Sequence, residues 1–343
     1  MADLYVQRAG AWFPIGSAPP IDPGGPGTGG PDPIPGELTH GRELAATSLG
    51  AAAQIGPFGN LTPAAGATRS GTVVIEGREI SGIETIAVGA DVTYRNCRII
   101  GPLGSTTYVI RATNGGGCRV TLEDCEVVAR STTSKTPRCI TMWGDGNVRA
   151  IRSILRGGID NVFVNPTNSP GVWATGDALV PMARVHLVEC WLGDLQRVPG
   201  SHTDNLQIDG GGYTLAERCR FMSYSMPEGA DPLTTRITDT VTAELGGGGV
   251  IATQASTNPN QLSHIAMRNC WHEGGNYTVD LAPSDGLPPH SMACTGGRFG
   301  VRSRFGPLRL PSGSENRDNR WGQSGVAPSG SVTADQPLQG SAP

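Results

Sequence analysis

The sequence predicts an all-β chain: a right-handed parallel β-helix, or solenoid, preceded by a small N-terminal β-hairpin and a Pro/Gly-rich linker. Three observations carry that expectation. First, the 343 residues include 50 Gly and 27 Pro but only 16% charged and 5% aromatic residues, a composition suited to many short strands and turns rather than to helices. Second, the segments VTYRNCRII, VTLEDCEVV, VRAIRSILR, VHLVECWLG, TLAERCRFM and IAMRNCWHE share one pattern in most copies: apolar or small, any, apolar, two polar, Cys or Ser, any, apolar. Its small position falls at Cys97, Cys125, Ser153, Cys190, Cys219 and Cys270, with Gly297 and Asn319 as late members, giving spacings of 28, 28, 37, 29, 51, 27 and 22 residues. A core period of 22 to 29 residues therefore carries two long insertions. Third, residues two apart within each copy are apolar and their neighbours polar, the period of a strand with one buried face. Several short strands per period, Gly at corners and no amphipathic helix between strands are what a parallel β-helix requires. A leucine-rich repeat shares the period, but its Leu and Asn signature is absent.

Taken in order, residues 1–17 read as a β-hairpin, because Leu4 and Val6, then Trp12, Phe13 and Ile15, flank Ala9-Gly10. Two strands are not stable alone, so this hairpin is expected to dock on another surface. Residues 18–36 hold seven Pro and six Gly in 19 positions and read as a linker, part stiff and part flexible. Residues 37–70 are expected to cap the solenoid, with a short Ala-rich helix in ELTHGRELAATSLGAAAQIG, since an open parallel edge is an aggregation template. The solenoid is placed at 71–325, and 326–343 reads as a flexible C-terminal tail. Of the two insertions, 165–183 contributes Trp173, and 225–250 is expected to protrude with Ile237, Val241 and Leu245 and to carry oligomer or receptor contacts.

The formal net charge is -4, with no basic run interleaved with aromatics, which argues against nucleic acid. Apolar runs such as that around Ile99 and Ile100 are too short to span a bilayer, and the N-terminus lacks the basic and apolar regions of a secretory signal. A carbohydrate or protein surface is the expected partner. None of the eight cysteines forms a C-x-x-C pair, which argues against zinc ribbons and thioredoxin-like chemistry. Equivalent residues of successive coils lie about 4.8 Å apart, so the ladder cysteines are expected to be reduced packing groups, with disulfides between neighbours as the alternative. Cys118 and Cys139 fall off that ladder and have no assigned role.

GTVVIEGREISGIETIAVGADVTYRNCRII, followed by RGGIDNVFV and SHTDNLQIDGGGYTLAERCRF, resembles the right-handed β-helix proteins of the pectate-lyase-like superfamily found in actinobacteria and in the minor tail proteins of their phages. The resemblance covers residues 57–325. The family's V-D-G-I and H-[ST]-D-G-I-Q types of segment appear as Ile159-Asp160-Asn161-Val162 and His202-Thr203-Asp204-Asn205-Leu206-Gln207, with Asn in place of the usual Gly in both. YVQRAGAWFPIG is similar to the short V-x-x-x-G-x-W-x-P element with which actinophage minor tail proteins often begin. The resemblance implies a virion component at the tail tip, made in the host cytoplasm without a signal peptide. It further implies a hairpin that meets other phage tail proteins, a solenoid that meets host surface polysaccharide, and a homo-oligomer, for which a trimer is one arrangement.

The polar strip HTDNLQID admits three readings. With Leu206 and Ile208 inside, Thr203, Asn205 and Gln207 face solvent, and His202 and Asp204 fall on the inward register unless a bend precedes the strand. Aligning Ile140, Val162 and Leu206 stacks Arg138, Asp160 and Asp204 in one column and Cys139, Asn161 and Asn205 in the next. Asp160 and Asp204 are then about 5 Å apart, close enough to raise one another's pKa and divide acid from base or nucleophile roles. With His202 as a proton carrier, these three form the candidate catalytic set of a polysaccharide lyase or glycoside hydrolase. Glycan binding without turnover, weighted above catalysis, uses Trp173 as a stacking platform and Asn161, Thr203, Asn205 and Gln207 to read hydroxyls. The third reading is structural: stacked polar side chains satisfy one another and the turn backbone, and Trp173 pins its own loop. Trp143 and Trp191 are further outward candidates, and Arg138, Arg197 and Arg218 are the cations the fold could bring near. No cofactor is expected beyond a weakly signalled calcium at Asp160, Asp204 and Asp209.

Overall fold

The computed structural model describes strands at 5–8 and 11–14 and the chain from 60 to 321, except 105–107, 113–116, 132–136, 145, 166–183, 198–201, 210–211, 236, 238–243, 246–247, 254–261, 283–289, 301–302 and 304–305. The linker, residues 37–59 with their expected helix, Trp173, Val241 and the tail lie outside the described residues. Tyr5–Arg8 and Ala11–Pro14 pair antiparallel, with Tyr5 opposite Pro14 and Arg8 opposite Ala11.

From Thr62 the chain visits three sheets in turn and returns to the first. Sheet I opens with Thr62–Ala65 and closes with Arg320–Trp321, sheet II runs from Thr68–Arg69 to Gly306–Arg309, and sheet III from Thr72–Glu76 to Glu315–Arg317. Successive coils pair in parallel, and no helix occurs among the described residues. This all-β arrangement of parallel strands in three sheets is consistent with a right-handed β-helix. Its first coil starts at Thr62, inside the span read as a cap. The corner there is tight: a Cβ on Gly66 would lie 2.4 Å from the Ile83 backbone nitrogen.

The repeat marks the corner between sheets III and I. The second polar residue of each copy turns the chain in the left-handed region: Asn96, Asp124, Arg152, Glu189, Arg218, Asn269 and Asp318 all have φ between 46° and 60°. Glycine holds that place at Gly77 and Gly296. The next residue is the small one, and the register of the strands that follow stacks Cys97, Cys125, Ser153, Cys190, Cys219 and Cys270 in one buried column. All eight cysteines are free. The five column thiols donate to carbonyls of the corner, as Cys125 Sγ does to Glu123 O at 3.3 Å, and Ser153 Oγ does the same to Ile151 O at 2.9 Å. Burial pushes the Cys125, Cys190 and Cys219 thiols up, which keeps them unreactive. Gly297 and Asn319 complete the column, where Asn319 Oδ1 accepts the Gly297 amide at 2.7 Å.

Inside, each sheet contributes ladders of aliphatic residues, such as Ile110, Ile140, Val162, Leu206, Val250, Val279 and Leu308 on sheet II. Sheet I adds an aromatic stack, with the fully buried His272 ring between Phe221 at 5.2 Å and Phe299 at 5.1 Å. Near the N-terminal end, Glu84 accepts from Arg69 Nε at 2.6 Å, from the Tyr94 hydroxyl at 2.5 Å and from the Ala67 amide at 2.9 Å, so this buried carboxylate is matched on every side.

The second insertion does not project where it is described. Ile237 packs with Ile154, Trp191, Met222, Tyr224 and Trp271 on the outer face of sheet I. Arg130 holds Asp231 with two hydrogen bonds, Arg156 donates to Pro232 O, and Asp194 accepts the Ile237 amide at 3.1 Å. Glu244–Leu245 then pairs antiparallel with Arg220–Met226. For Ile237 the expectation of an outward position fails for a simple reason: two tryptophans, a tyrosine and two methionines on the outer face of sheet I require cover.

Candidate functional site

The polar strip lies on sheet II, in the neighbouring strands Asp160–Asn165 and Asp204–Asp209, with Arg138–Trp143 one coil before. Arg138 is in register with Asp160, and Asp160 with Asp204. The stacked column read from the sequence is therefore present. Both aspartates are buried. Arg138 Nε donates to Asp160 Oδ2 at 2.7 Å, and the same guanidinium lies 3.7 Å over the Phe163 ring. Asp160 Oδ1 is buried with no hydrogen-bond partner among the described residues. Burial pushes the Asp160 carboxyl up to about 6, and the Arg138 charge, its hydrogen bond, the nearby His202 and the Asp204 amide hold it from rising further. A carboxyl poised there can exchange protons near neutrality.

Burial at the start of the strand does not follow strict alternation. Leu206 and Ile208 are inside, as the alternation requires, and Gln207 is half-buried beside Phe163 in the outward column. Asn205 and Thr203, expected outside, are instead buried. Asn205 Nδ2 donates to Ser223 Oγ at 3.1 Å, and Thr203 Oγ1 is 3.4 Å from Ser225 Oγ. Asn161 is wholly buried too: it takes the Gly158 amide at 3.1 Å, gives to Gly193 O at 3.1 Å, and gives to Asn205 Oδ1 at 2.8 Å. These two asparagines, one from each polar segment, thus bond to each other across adjacent coils. Cys139 joins them, with Sγ donating to Arg156 O at 3.1 Å and lying 3.4 Å from Asn161 Oδ1. This buried asparagine ladder fastens the corner between sheets I and II.

His202 is exposed, two residues before Asp204. Asp209 accepts from Asn165 Nδ2 at 2.9 Å, at the far end of the strand from Asp204, and among the described residues no group of three or more His, Cys, Asp or Glu converges to hold a metal. Of the cations considered, Arg138 reaches the strip, whereas Arg218 sits on the III–I corner and bonds Glu189 at 2.9 Å. Trp191 is buried under the second insertion. Trp143 is half-buried on sheet II, 5.1 Å from the guanidinium of Arg111.

Phe163, Thr141 and Arg111 escape sequence reading, although Thr141 and Arg111 continue the Phe163 column toward the N-terminus. The signal for Phe163 was the alternation in DNVFVN, which puts it opposite Val162 and Val164. Arg111 lies on a three-residue strand, Ile110–Ala112, outside the Cys-centred repeat. Compared with family models, curated proteins and solved structures, the chain matches none.

Proposed function

We propose that the chain is a phage minor tail protein whose solenoid binds host cell-envelope glycan on the outer face of sheet II, with the N-terminal hairpin meeting other tail proteins. The observation that carries the glycan reading is the grouping of Phe163, capped by Arg138, with the Asp160–Asp204 column, Gln207 and the exposed His202. Phe163 is itself buried under Arg138, so what the face offers a sugar is the half-buried guanidinium seated on that ring, with Gln207 and His202 beside it, polar groups that can read hydroxyls. The outer face of sheet I around Trp191 and Trp271 is already covered by the chain's own insertion. The tail assignment is supported by the likeness of YVQRAGAWFPIG to the opening of actinophage tail proteins.

A second reading, a depolymerase, is favoured by the register of Asp160 on Asp204 and by the raised Asp160 carboxyl. One assay separates them. The full chain is incubated with isolated actinobacterial cell-wall polysaccharide, and both retained protein and new reducing or unsaturated ends are followed. Retention without new ends supports binding, and release of ends that disappears with Asp204→Asn supports turnover. Neither outcome would leave the strip as part of the scaffold, with only deletion of residues 1–17 affecting particles.

A further inference from the structure

We infer that the C-terminal end of the solenoid is an acid-sensitive latch: protonation of His272 opens the last coils, from the strand Ser263–Arg268 to Arg320–Trp321, while the coils before them stay closed. The place of one imidazole in the core carries the inference. His272 is fully buried, and its ring lies between Phe221 at 5.2 Å and Phe299 at 5.1 Å. The three rings stack because their strands are in register, Phe221 with His272 and His272 with Phe299. Neither imidazole nitrogen has a hydrogen-bond partner among the described residues. An imidazolium in that place loses its water and gains no acceptor, so the closed end holds the ring neutral.

The elements packed around the ring supply no counter-charge. On its own strand Glu273 accepts from the Tyr224 hydroxyl at 2.8 Å and from Trp271 Nε1 at 3.3 Å, both on the outer face of sheet I. Arg220 and Arg298, on the two neighbouring strands, precede Phe221 and Phe299 and by alternation belong to that same outer face. Inside, Ile265, Met267, Val279 and Met292 share a cluster with Phe221 and Phe299, and its titratable members at these coils are the thiols of Cys270 and Cys294. Burial pushes the Cys294 thiol up to about 12. Desolvation is the single cause acting on the imidazole, which it lowers to about 3 from 6.5. Asp280, paired with Arg309 at 2.6 Å, is raised by its own burial and works in the opposite direction. The response is local because each coil of a solenoid touches only its neighbours. Freeing His272 breaks the interface with the strand Arg220–Met226, which the antiparallel strand Glu244–Leu245 pins from its other side. The opened ring takes a proton that the closed one refuses, so opening becomes about tenfold easier for each pH unit lost below 6.5.

The test is amide hydrogen exchange of the full-length protein, read by mass spectrometry at pH 7 and pH 5 and corrected for the intrinsic rate, with His272→Phe alongside. Between the two pH values, protection within 263–321 should fall by about 25-fold more in the native chain than in His272→Phe. Peptides within 91–165 should show no fall in either protein. The same pH dependence in both proteins at 263–321, or a fall in 91–165 as large as that in 263–321, overturns the latch. Should His272→Phe not fold, the native chain decides alone: a fall confined to 263–321 supports the latch, and a uniform fall or none contradicts it.

Discussion

Asp160 and His272 carry opposite pH signatures, because burial acts on opposite charge types. The Asp160 carboxyl is raised to about 6 from 3.8, so within that window the folded chain binds the proton more readily than the unfolded one and stability is lost as pH rises. Asp160→Asn should therefore stabilise the fold at neutral pH by about 1–3 kcal/mol, read by urea denaturation, whatever it does to binding. His272 is lowered to about 3 from 6.5 by burial alone, and neither ring nitrogen has a hydrogen-bond partner among the described residues. Between those values the unfolded chain takes the proton and the folded one does not, so stability falls as pH falls, by about 1.4 kcal/mol per unit. His272→Phe should flatten that slope between pH 6.5 and 4, measured by denaturation at each pH, because a third phenyl ring fits between Phe221 and Phe299 with nothing to protonate. The column holding Arg138, Asp160 and Asp204 was legible from alignment of the aliphatic positions alone. The burial of Asn161 and Asn205 was not, because it depends on partners from a different sheet, Gly193 O for Asn161 and Ser223 Oγ for Asn205.

The corner between sheets III and I is the element that makes the repeat visible. Its small residue was legible because stacking forbids a large one, and its left-handed residue was legible only as polar, since Arg152, Glu189 and Arg218 are not residues that favour positive φ. Each is instead held by the hydrogen-bonded corner and by ion pairs such as Arg152–Asp124, 2.7 Å, and Arg218–Glu189, 2.9 Å. Those pairs are partly exposed and contribute little individually. Of the two glycines at this place, Gly77 has open space around it, whereas at Gly296, φ 64°, a Cβ would lie 2.1 Å from Asn269 Oδ1. Gly296→Ala should cost about 2 kcal/mol or more, seen as a lowered melting temperature. A loss below about 0.5 kcal/mol would mean that the corner yields more readily than its column of hydrogen bonds suggests. The position of Ile237 was misjudged for a related reason. Its own segment looks like a free loop, and only the outer-face aromatics of sheet I, contributed by three different coils, explain why Ile237 lies down on them.

Across the whole molecule, a solenoid presents three long outer faces, and the chain treats them differently. Sheet I is covered in its middle coils by Ala230 and Ile237, which share a cluster with Trp191 and Trp271. Sheet III carries small apolar contacts such as Leu215, Ala266 and Ala293 on its outer side. Sheet II keeps aromatic and charged side chains together, from Arg111 through Phe163 to the Arg309–Asp280 pair beside Tyr277. The period and class of the fold were readable from 22-to-29-residue spacing, whereas the choice of face depends on which strands neighbour which, and that is fixed by register rather than by any one segment. The most direct measurement is the affinity of the full-length protein for isolated actinobacterial cell-wall polysaccharide, compared between Phe163→Ala on sheet II and Thr121→Ala on sheet III, with melting temperatures recorded for both. Phe163→Ala, which removes the ring that seats Arg138, should lose about tenfold in affinity, and Thr121→Ala none. Equal affinities in a folded Phe163→Ala protein would contradict that expectation, and would move the binding face off sheet II.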